Sequence, residues 1–137
     1  MLASLIDSPD EHHWVLLDHR LTQLVFETQA VRFQSWSLDG SAEVRLSAPF
    51  TLRQPGGAER LLNPADTTTL APLLALVRRR LTSITIASDG ELVADLEGGL
   101  SIVAPPSRFA DAWEVQGGGA LEALSYRCLS GGMVEAG

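Results

Sequence analysis

The chain has 137 residues, of which 45% are apolar and 20% charged, and its formal net charge is -7. This length fits one globular domain, and the composition excludes a disordered tail, a coiled coil and a collagen-like repeat. All ten basic residues are arginine, which excludes lysine-dependent chemistry such as a Walker-A phosphate loop or a Schiff base. The acidic balance repels nucleic-acid phosphates and anionic lipids, so we expect no nucleic-acid partner and no membrane partner.

The N-terminal residues lack the basic segment of a signal peptide, and no run reaches the roughly 20 apolar residues that a membrane span needs. The single cysteine, Cys128, cannot form an internal disulfide, so nothing demands an oxidising compartment. We therefore expect a cytoplasmic protein. Residues 1–13 predict a flexible acidic leader, and residues 14–137 predict a single domain.

From Trp14 onward the sequence is typical of β-strands. Residues 22–29 and 31–38 are rich in β-branched and aromatic side chains. Asp39-Gly40 predicts a two-residue hairpin turn, and residues 42–46 then alternate as a strand with one face in solvent.

One amphipathic helix is predicted near residues 66–80. The apolar positions that define it follow the i, i+3, i+4, i+7 spacing and are Leu70, Leu73, Leu74 and Val77. With Thr69 as its N-cap, Pro72 would fall in the first turn, where a missing N–H costs little. Residues 78–80 would lie in the last turn. There, positive charge next to exposed carbonyls explains this arginine run at least as well as an anion site does.

The second part of the chain again indicates short antiparallel strands. The predicted strands are 81–87, 91–96, 100–104, 113–115 and 124–129, and the glycine run 117–119 is predicted as a turn between the last two. Arg20-Leu21-Thr22 matches Arg80-Leu81-Thr82, which indicates an internal repeat. The predicted fold class is α+β: a mainly antiparallel sheet of two similar strand meanders with one amphipathic helix near 66–80.

A group of ligand-type side chains near the N-terminus is the best candidate metal site. It consists of Glu11, His12, His13, Asp18 and His19. Adjacent histidines point apart in an extended chain, and no HExxH spacing is present. Metal binding by His12, His13 and His19 therefore stands beside the simpler interpretation of a solvated entry to the first strand.

No set of catalytic residues is predicted, and no cofactor. Cys128 follows Arg127, which faces the other way in a strand, and an isolated cysteine of this kind is typically buried and inert. The glycine clusters lack the context of a dinucleotide site, and no serine lies in a nucleophile elbow. Trp14, Trp36 and Trp113 could line a pocket, although so few aromatic residues favour a role as core anchors.

Several short segments together resemble a family of small uncharacterised actinobacterial proteins over about residues 14–134. They are Asp39-Gly40, Pro49-Phe50-Thr51-Leu52, 70–76, Arg80-Leu81-Thr82, Ala112-Trp113-Glu114-Val115 and 128–132. The family has no assigned activity, so the resemblance implies no catalytic residues. The late tryptophan followed by a Gly-Gly-containing strand is also similar in style to bacterial immunity proteins.

We expect a non-enzymatic binding protein, and the residues expected to contact a basic protein partner are Asp39, Glu43, Asp89 and Glu91. A homodimer through an exposed strand edge is compatible with this expectation. The alternative is a metal- or small-ligand-binding protein, or an enzyme, with a pocket near the tryptophans or the histidines. A structural subunit of a larger complex is a third option.

Overall fold

The computed structural model describes residues 3–8, 11–38 and 40–136. These residues form one sheet of twelve strands in which every pairing is antiparallel. The strands are β1 (Ala3–Ser8), β2 (Glu11–Phe26), β3 (Val31–Ser37), β4 (Gly40–Leu46), β5 (Phe50–Arg53), β6 (Glu59–Leu62), β7 (Arg80–Ile86), β8 (Leu92–Leu96), β9 (Leu100–Ala104), β10 (Trp113–Gly119), β11 (Ser125–Cys128) and β12 (Val134–Ala136). The prediction of a mainly antiparallel sheet is confirmed.

The predicted amphipathic α-helix near 66–80 is not confirmed, and neither is the α+β label. The segment forms two short 3-10 helices, Thr67–Thr69 and Ala71–Leu76. Side-chain hydrogen bonds compete with helix formation at its start. The Thr69 hydroxyl accepts from the Asn63 N–H at 2.8 Å, and the Asp66 side chain caps the first 3-10 helix. In the described residues, no helix is long and apolar enough to cross a membrane.

The long strand β2, of sixteen residues, lies at the middle of the sheet. One of its edges pairs with β7, and the other pairs first with β1 and then with β3. Beyond β3 the sheet continues through β4, β10 and β11 to β12, which we call the first half. Beyond β7 it continues through β8, β9 and β5 to β6, the second half. The predicted boundary between leader and domain at residue 14 falls inside β2.

The two halves exchange hairpins. The hairpin β5–β6 follows β4 along the chain but pairs with β9 of the second half. Conversely, β10–β11 follows β9 but pairs with β4 of the first half. Each half is therefore completed by chain that follows the other half's meander, so neither half is a contiguous segment of sequence.

The meanders β2–β3–β4 and β7–β8–β9 share details of register. Arg20 lies directly opposite Arg80 where β2 and β7 pair. Each strand then shifts register at a threonine, Thr22 in β2 and Thr82 in β7. Both threonine hydroxyls donate to a backbone carbonyl of the following strand, at 3.4 and 3.0 Å. The Arg-Leu-Thr repeat in the sequence thus occupies equivalent places in the two meanders.

One hydrophobic core joins the halves, because buried side chains from the strands of both belong to a single cluster. The indole N–H of buried Trp113 in β10 donates to the carbonyl of Gly90 in the β7–β8 turn at 2.9 Å. This hydrogen bond ties the first half to the second.

The predicted turn at 117–119 is corrected by the structure, which continues β10 through these glycines to Gly119. A Cβ on Gly117 would collide with the backbone carbonyl of Leu121, so only glycine permits this close approach of the chain. The glycines therefore allow β10 to pack closely against the turn that follows it.

Candidate functional site

Trp36 is the exposed member of the three tryptophans. Alternation along β3 directs Phe33 and Ser35 into the core and Trp36 to the outer face, where 58% of its surface remains exposed. Trp14 and Trp113 are buried in the core. The structure therefore does not gather the tryptophans around one pocket, and Trp36 alone is available to a ligand or partner.

A recess lies beside the Trp36 ring on the outer face of β3, β4 and β10. Its volume is about 270 Å³, and Ser41, Glu43 and Gln116 are among the residues that line it. Gly117 and Gly118 line it too, so Gln116 is the residue of β10 that projects a side chain there. We call the outer surface formed by Gln34, Trp36, Ser41, Glu43 and Gln116 the Trp36 face.

Ion pairs border this surface and fix its charged side chains. The Arg32 guanidinium lies 2.6 Å from Glu43 and 3.2 Å from Glu27, and Arg45 also lies 3.2 Å from Glu27. The hydrogen bond to Glu43 is the main cause that raises the pKa of Arg32. A second recess of about 230 Å³ opens among these residues and shares Glu43 and Gln116 with the first.

The three histidines do not form a cluster. The His12 ring stacks on Tyr126 with centroids 5.0 Å apart, whereas His13 shares a hydrogen bond of 2.6 Å with the Thr85 hydroxyl. His19 is buried and contacts the hydroxyls of Ser35 and Ser37 instead. Across the part of the chain that the structure describes, no group of three or more His, Cys, Asp or Glu side chains could hold a metal ion.

His19 occupies a polar position inside the core. Its Nδ1 and Nε2 atoms lie 3.3 Å from the hydroxyls of Ser35 and Ser37, respectively. Burial lowers the pKa of His19, and the neighbouring Asp18 carboxylate opposes part of that effect. Asp18 has a positive φ of 56° where β2 shifts register against β7. Burial therefore favours the neutral form of this imidazole.

The described acidic residues predicted to bind a partner do not lie together. Glu43 lies on the Trp36 face, and Asp39 lies outside the described residues. Asp89 and Glu91 belong to the β7–β8 turn, which contacts Trp113 at the start of β10. Trp36 lies opposite Ser41, which pairs with Gly118, and Gly118 is about 17 Å from Trp113 along β10 at the usual rise per residue.

The cysteine thiol shows no feature of a nucleophile. Cys128 is buried, and burial raises the pKa of its thiol, with the Asp111 charge as a smaller cause. A protonated thiol is a poor nucleophile.

Residues 15–136 match the model of a family of unknown function, DUF6188. The chain belongs to this family. The match spans both halves of the sheet and includes the Trp36 face, and it confirms the resemblance to an uncharacterised family. No curated protein and no solved structure matches the chain.

A groove in this DUF6188 chain lies between the end of β7 and the strands β11 and β12. It has a volume of about 450 Å³, and its lining residues are His12, Ile86, Ala87, Ser88, Tyr126, Gly132, Met133, Val134 and Ala136. Of the three histidines predicted to lie near a pocket, His12 lines this groove, and His13 and His19 do not.

Sequence reasoning did not assign Gln34 and Gln116 to a site. The alternation of residues 31–36 places Gln34 on the same strand face as Trp36, which was a usable signal. Gln116 joins them through the β4–β10 pairing, in which it lies opposite Glu43. These two strands are about seventy residues apart in sequence, and no local pattern indicates that they pair.

Proposed function

We propose that this DUF6188 chain is a non-enzymatic, cytoplasmic binding protein that docks a basic protein partner on the Trp36 face. The observation that carries the proposal is the exposed Trp36 ring beside a glycine-lined recess of about 270 Å³. Tryptophan is among the residues that contribute most to binding energy at protein interfaces, where its ring fills or flanks a pocket.

The chemistry around the recess suits a cationic side chain. Glu43, which also pairs with Arg32 at 2.6 Å, supplies a carboxylate, and Gln34 and Gln116 supply amide oxygens. The face of an indole also attracts cations. The formal charge of -7 attracts a basic partner over longer distances and accelerates its association. In this proposal Asp89 and Glu91 contribute to that long-range attraction, because they lie too far from Trp36 to share its contact.

The test is native mass spectrometry of untagged protein isolated from its own cytoplasm at low salt. We expect one basic protein at fixed stoichiometry with the wild type, and its loss at high salt. Trp36→Ala should lose this partner, while Phe109→Ala, which truncates another exposed aromatic side chain away from the sheet, should retain it. Retention by Trp36→Ala, or an absence of partner in every sample, contradicts the proposal.

A second candidate function is small-ligand binding in the 450 Å³ groove, favoured by the stacked rings of His12 and Tyr126. A bound molecule of low mass in the same spectra, lost in Tyr126→Ala, would select this candidate. Homodimerisation through an edge strand, β6 or β12, is compatible with either function. The mass of the complex reports it directly.

A further inference from the structure

Four of the ten arginines gather at the seam between the two halves: Arg20, Arg78, Arg79 and Arg80. Arg20 and Arg80 are direct cross-strand partners, so their side chains leave the same face of the sheet. The Arg20 guanidinium also donates to the Arg78 carbonyl at 3.1 Å, which holds it close to the seam. A protein of net charge -7 thus concentrates positive charge at one place.

Carboxylates approach the guanidinium groups of this seam less closely than they approach other arginines. The Glu97 carboxylate accepts from the backbone N–H of Arg80 at 3.1 Å. Arg80 approaches Asp18 at 3.9 Å, and the Asp18 side chain is itself 79% exposed. Within the described ranges, none of the other three seam arginines forms an ion pair. By contrast, the nearest carboxylates of Arg32, Arg45, Arg53 and Arg127 lie at 2.6–3.2 Å.

Hydrogen bonds to the carbonyls of Ala75 at 3.2 Å and Glu97 at 3.4 Å give the Arg79 guanidinium a structural role. They do not account for the pairing of Arg20 with Arg80. The second 3-10 helix ends at Leu76 and Val77 is extended, so no α-helix terminus receives the charge. Arg78 has a positive φ of 77°, a backbone conformation that is unfavourable for residues other than glycine. Like charges directly opposite each other on adjacent strands also destabilise a sheet. Such costs are typical of functional positions.

We propose that Arg20 and Arg80 form a binding site for the phosphate group of a small molecule, with Arg78 and Arg79 adding to the positive field. Guanidinium groups bind phosphate oxygens through paired hydrogen bonds, and an anion between the two would replace their repulsion by attraction. Trp36 lies opposite Arg20 across β2–β3, on the same face. An aromatic ring therefore adjoins the anion site, and it could stack on a ring attached to the phosphate. This site adjoins the proposed docking surface at Trp36, but phosphate binding to the arginines does not require the protein partner.

The test is calorimetric titration of the full chain with pyrophosphate, with ionic strength held constant by sodium chloride. We expect saturable binding, weakened at least about tenfold by Arg20→Gln and by Arg80→Gln, because each loses charge-assisted hydrogen bonds. Arg108→Gln, which removes an exposed arginine outside the seam, should bind like the wild type. No saturable binding by the wild type, or an equal loss in Arg108→Gln, overturns the proposal.

Amide chemical shifts of the wild type provide a reading that does not depend on variants. Pyrophosphate should shift the amides of residues 18–22 and 78–82 and leave those of 107–111 unchanged. Chemical-shift changes confined to other segments would contradict the proposed location of the site. Titration with a nucleoside monophosphate then identifies the source of the phosphate. If the ring of the nucleotide stacks on Trp36, Trp36→Ala weakens binding of the nucleotide and leaves binding of pyrophosphate unchanged. If Trp36→Ala affects the binding of both ligands equally, the site is assigned to free phosphate.

Discussion

The two halves of the sheet have corresponding strands but different outer faces. In the second half, Asp95 accepts hydrogen bonds from the hydroxyls of Ser83 at 2.9 Å and Ser101 at 2.6 Å. The corresponding cross-strand pair in the first half is Gln34 with Glu43, which lies beside Trp36 and two recesses. On the outer face of the second half, the polar side chains hydrogen-bond to each other. The outer face of the first half presents an aromatic ring and planar polar groups to solvent.

This difference separates the part of the molecule that supports the fold from the part available for binding. The inner faces of both halves contribute to the same hydrophobic core, so stability is shared between them. The outer faces are not equivalent, and the exposed aromatic group lies on the first. We therefore expect substitutions in the core to affect both halves together, and substitutions on the outer faces to distinguish them.

The largest expected effect comes from the residues that begin the two exchanged hairpins. Phe50 and Trp113 are buried, and replacing either by alanine should lower the free energy of unfolding by about 3–5 kcal/mol. Urea denaturation should show one transition in both variants, because the halves share one core. Two separate transitions would show instead that the halves unfold independently.

The next effect in size tests the glycine strand of the first half. Gly117→Ala places a Cβ against the Leu121 carbonyl and should cost about 1–3 kcal/mol of stability. Gln116→Ala alters the exposed neighbour and should change stability by no more than about 0.5 kcal/mol. Equal stabilities of these variants would mean that the close approach at Gly117 is absent.

Acidification should destabilise the fold through His19. Because its pKa is lowered in the folded state, the unfolded state binds more protons below about pH 6.5. Stability should then fall as pH decreases, by up to about 1.4 kcal/mol per pH unit from this group. Urea titrations at several pH values measure the trend, and His19→Gln should flatten it. An NMR-measured pKa of His19 at or above 6.5 would contradict this account.

The smallest stability effects give the clearest contrast between the outer faces. Ser101→Ala removes one hydrogen bond to Asp95 and should cost about 1 kcal/mol without affecting partner binding. Trp36→Ala should change stability by no more than about 0.5 kcal/mol but remove binding. Thermal denaturation and the partner retention assay together measure both. Loss of partner binding in Ser101→Ala, with binding retained in Trp36→Ala, would assign binding to the second half.

The sequence indicates most of the strands, because alternation and turn residues are local signals. Residues 31–38 and 42–46 were predicted close to their observed bounds. Gly40, predicted as a turn residue, instead pairs with Ser37 as the first residue of β4. The apolar spacing around Leu70 instead resembled an α-helix, because 3-10 and α periods are hard to distinguish over two turns. Local hydrogen bonds of the Asn63 and Asp66 side chains favour a turn and 3-10 helices over an α-helix in that segment.

The candidate site was less predictable because it depends on long-range pairing. The exchange of hairpins brings Gln116 beside Glu43, and no periodic pattern in the sequence indicates which strands exchange. The pairing of arginines at the seam could not be predicted from local sequence either. Arg20 meets Arg80 only because β2 pairs with β7, although the matching Arg-Leu-Thr segments indicated that the two positions are related.

Hydrogen–deuterium exchange of the partner complex tests the central claim most directly, because it compares the two halves in one experiment. We predict that partner binding slows exchange in residues 31–46 and 114–118 and leaves residues 92–104 of the second half unchanged. Protection confined to residues 92–104, or no protection of residues 31–46, would contradict the assignment of binding to the Trp36 face.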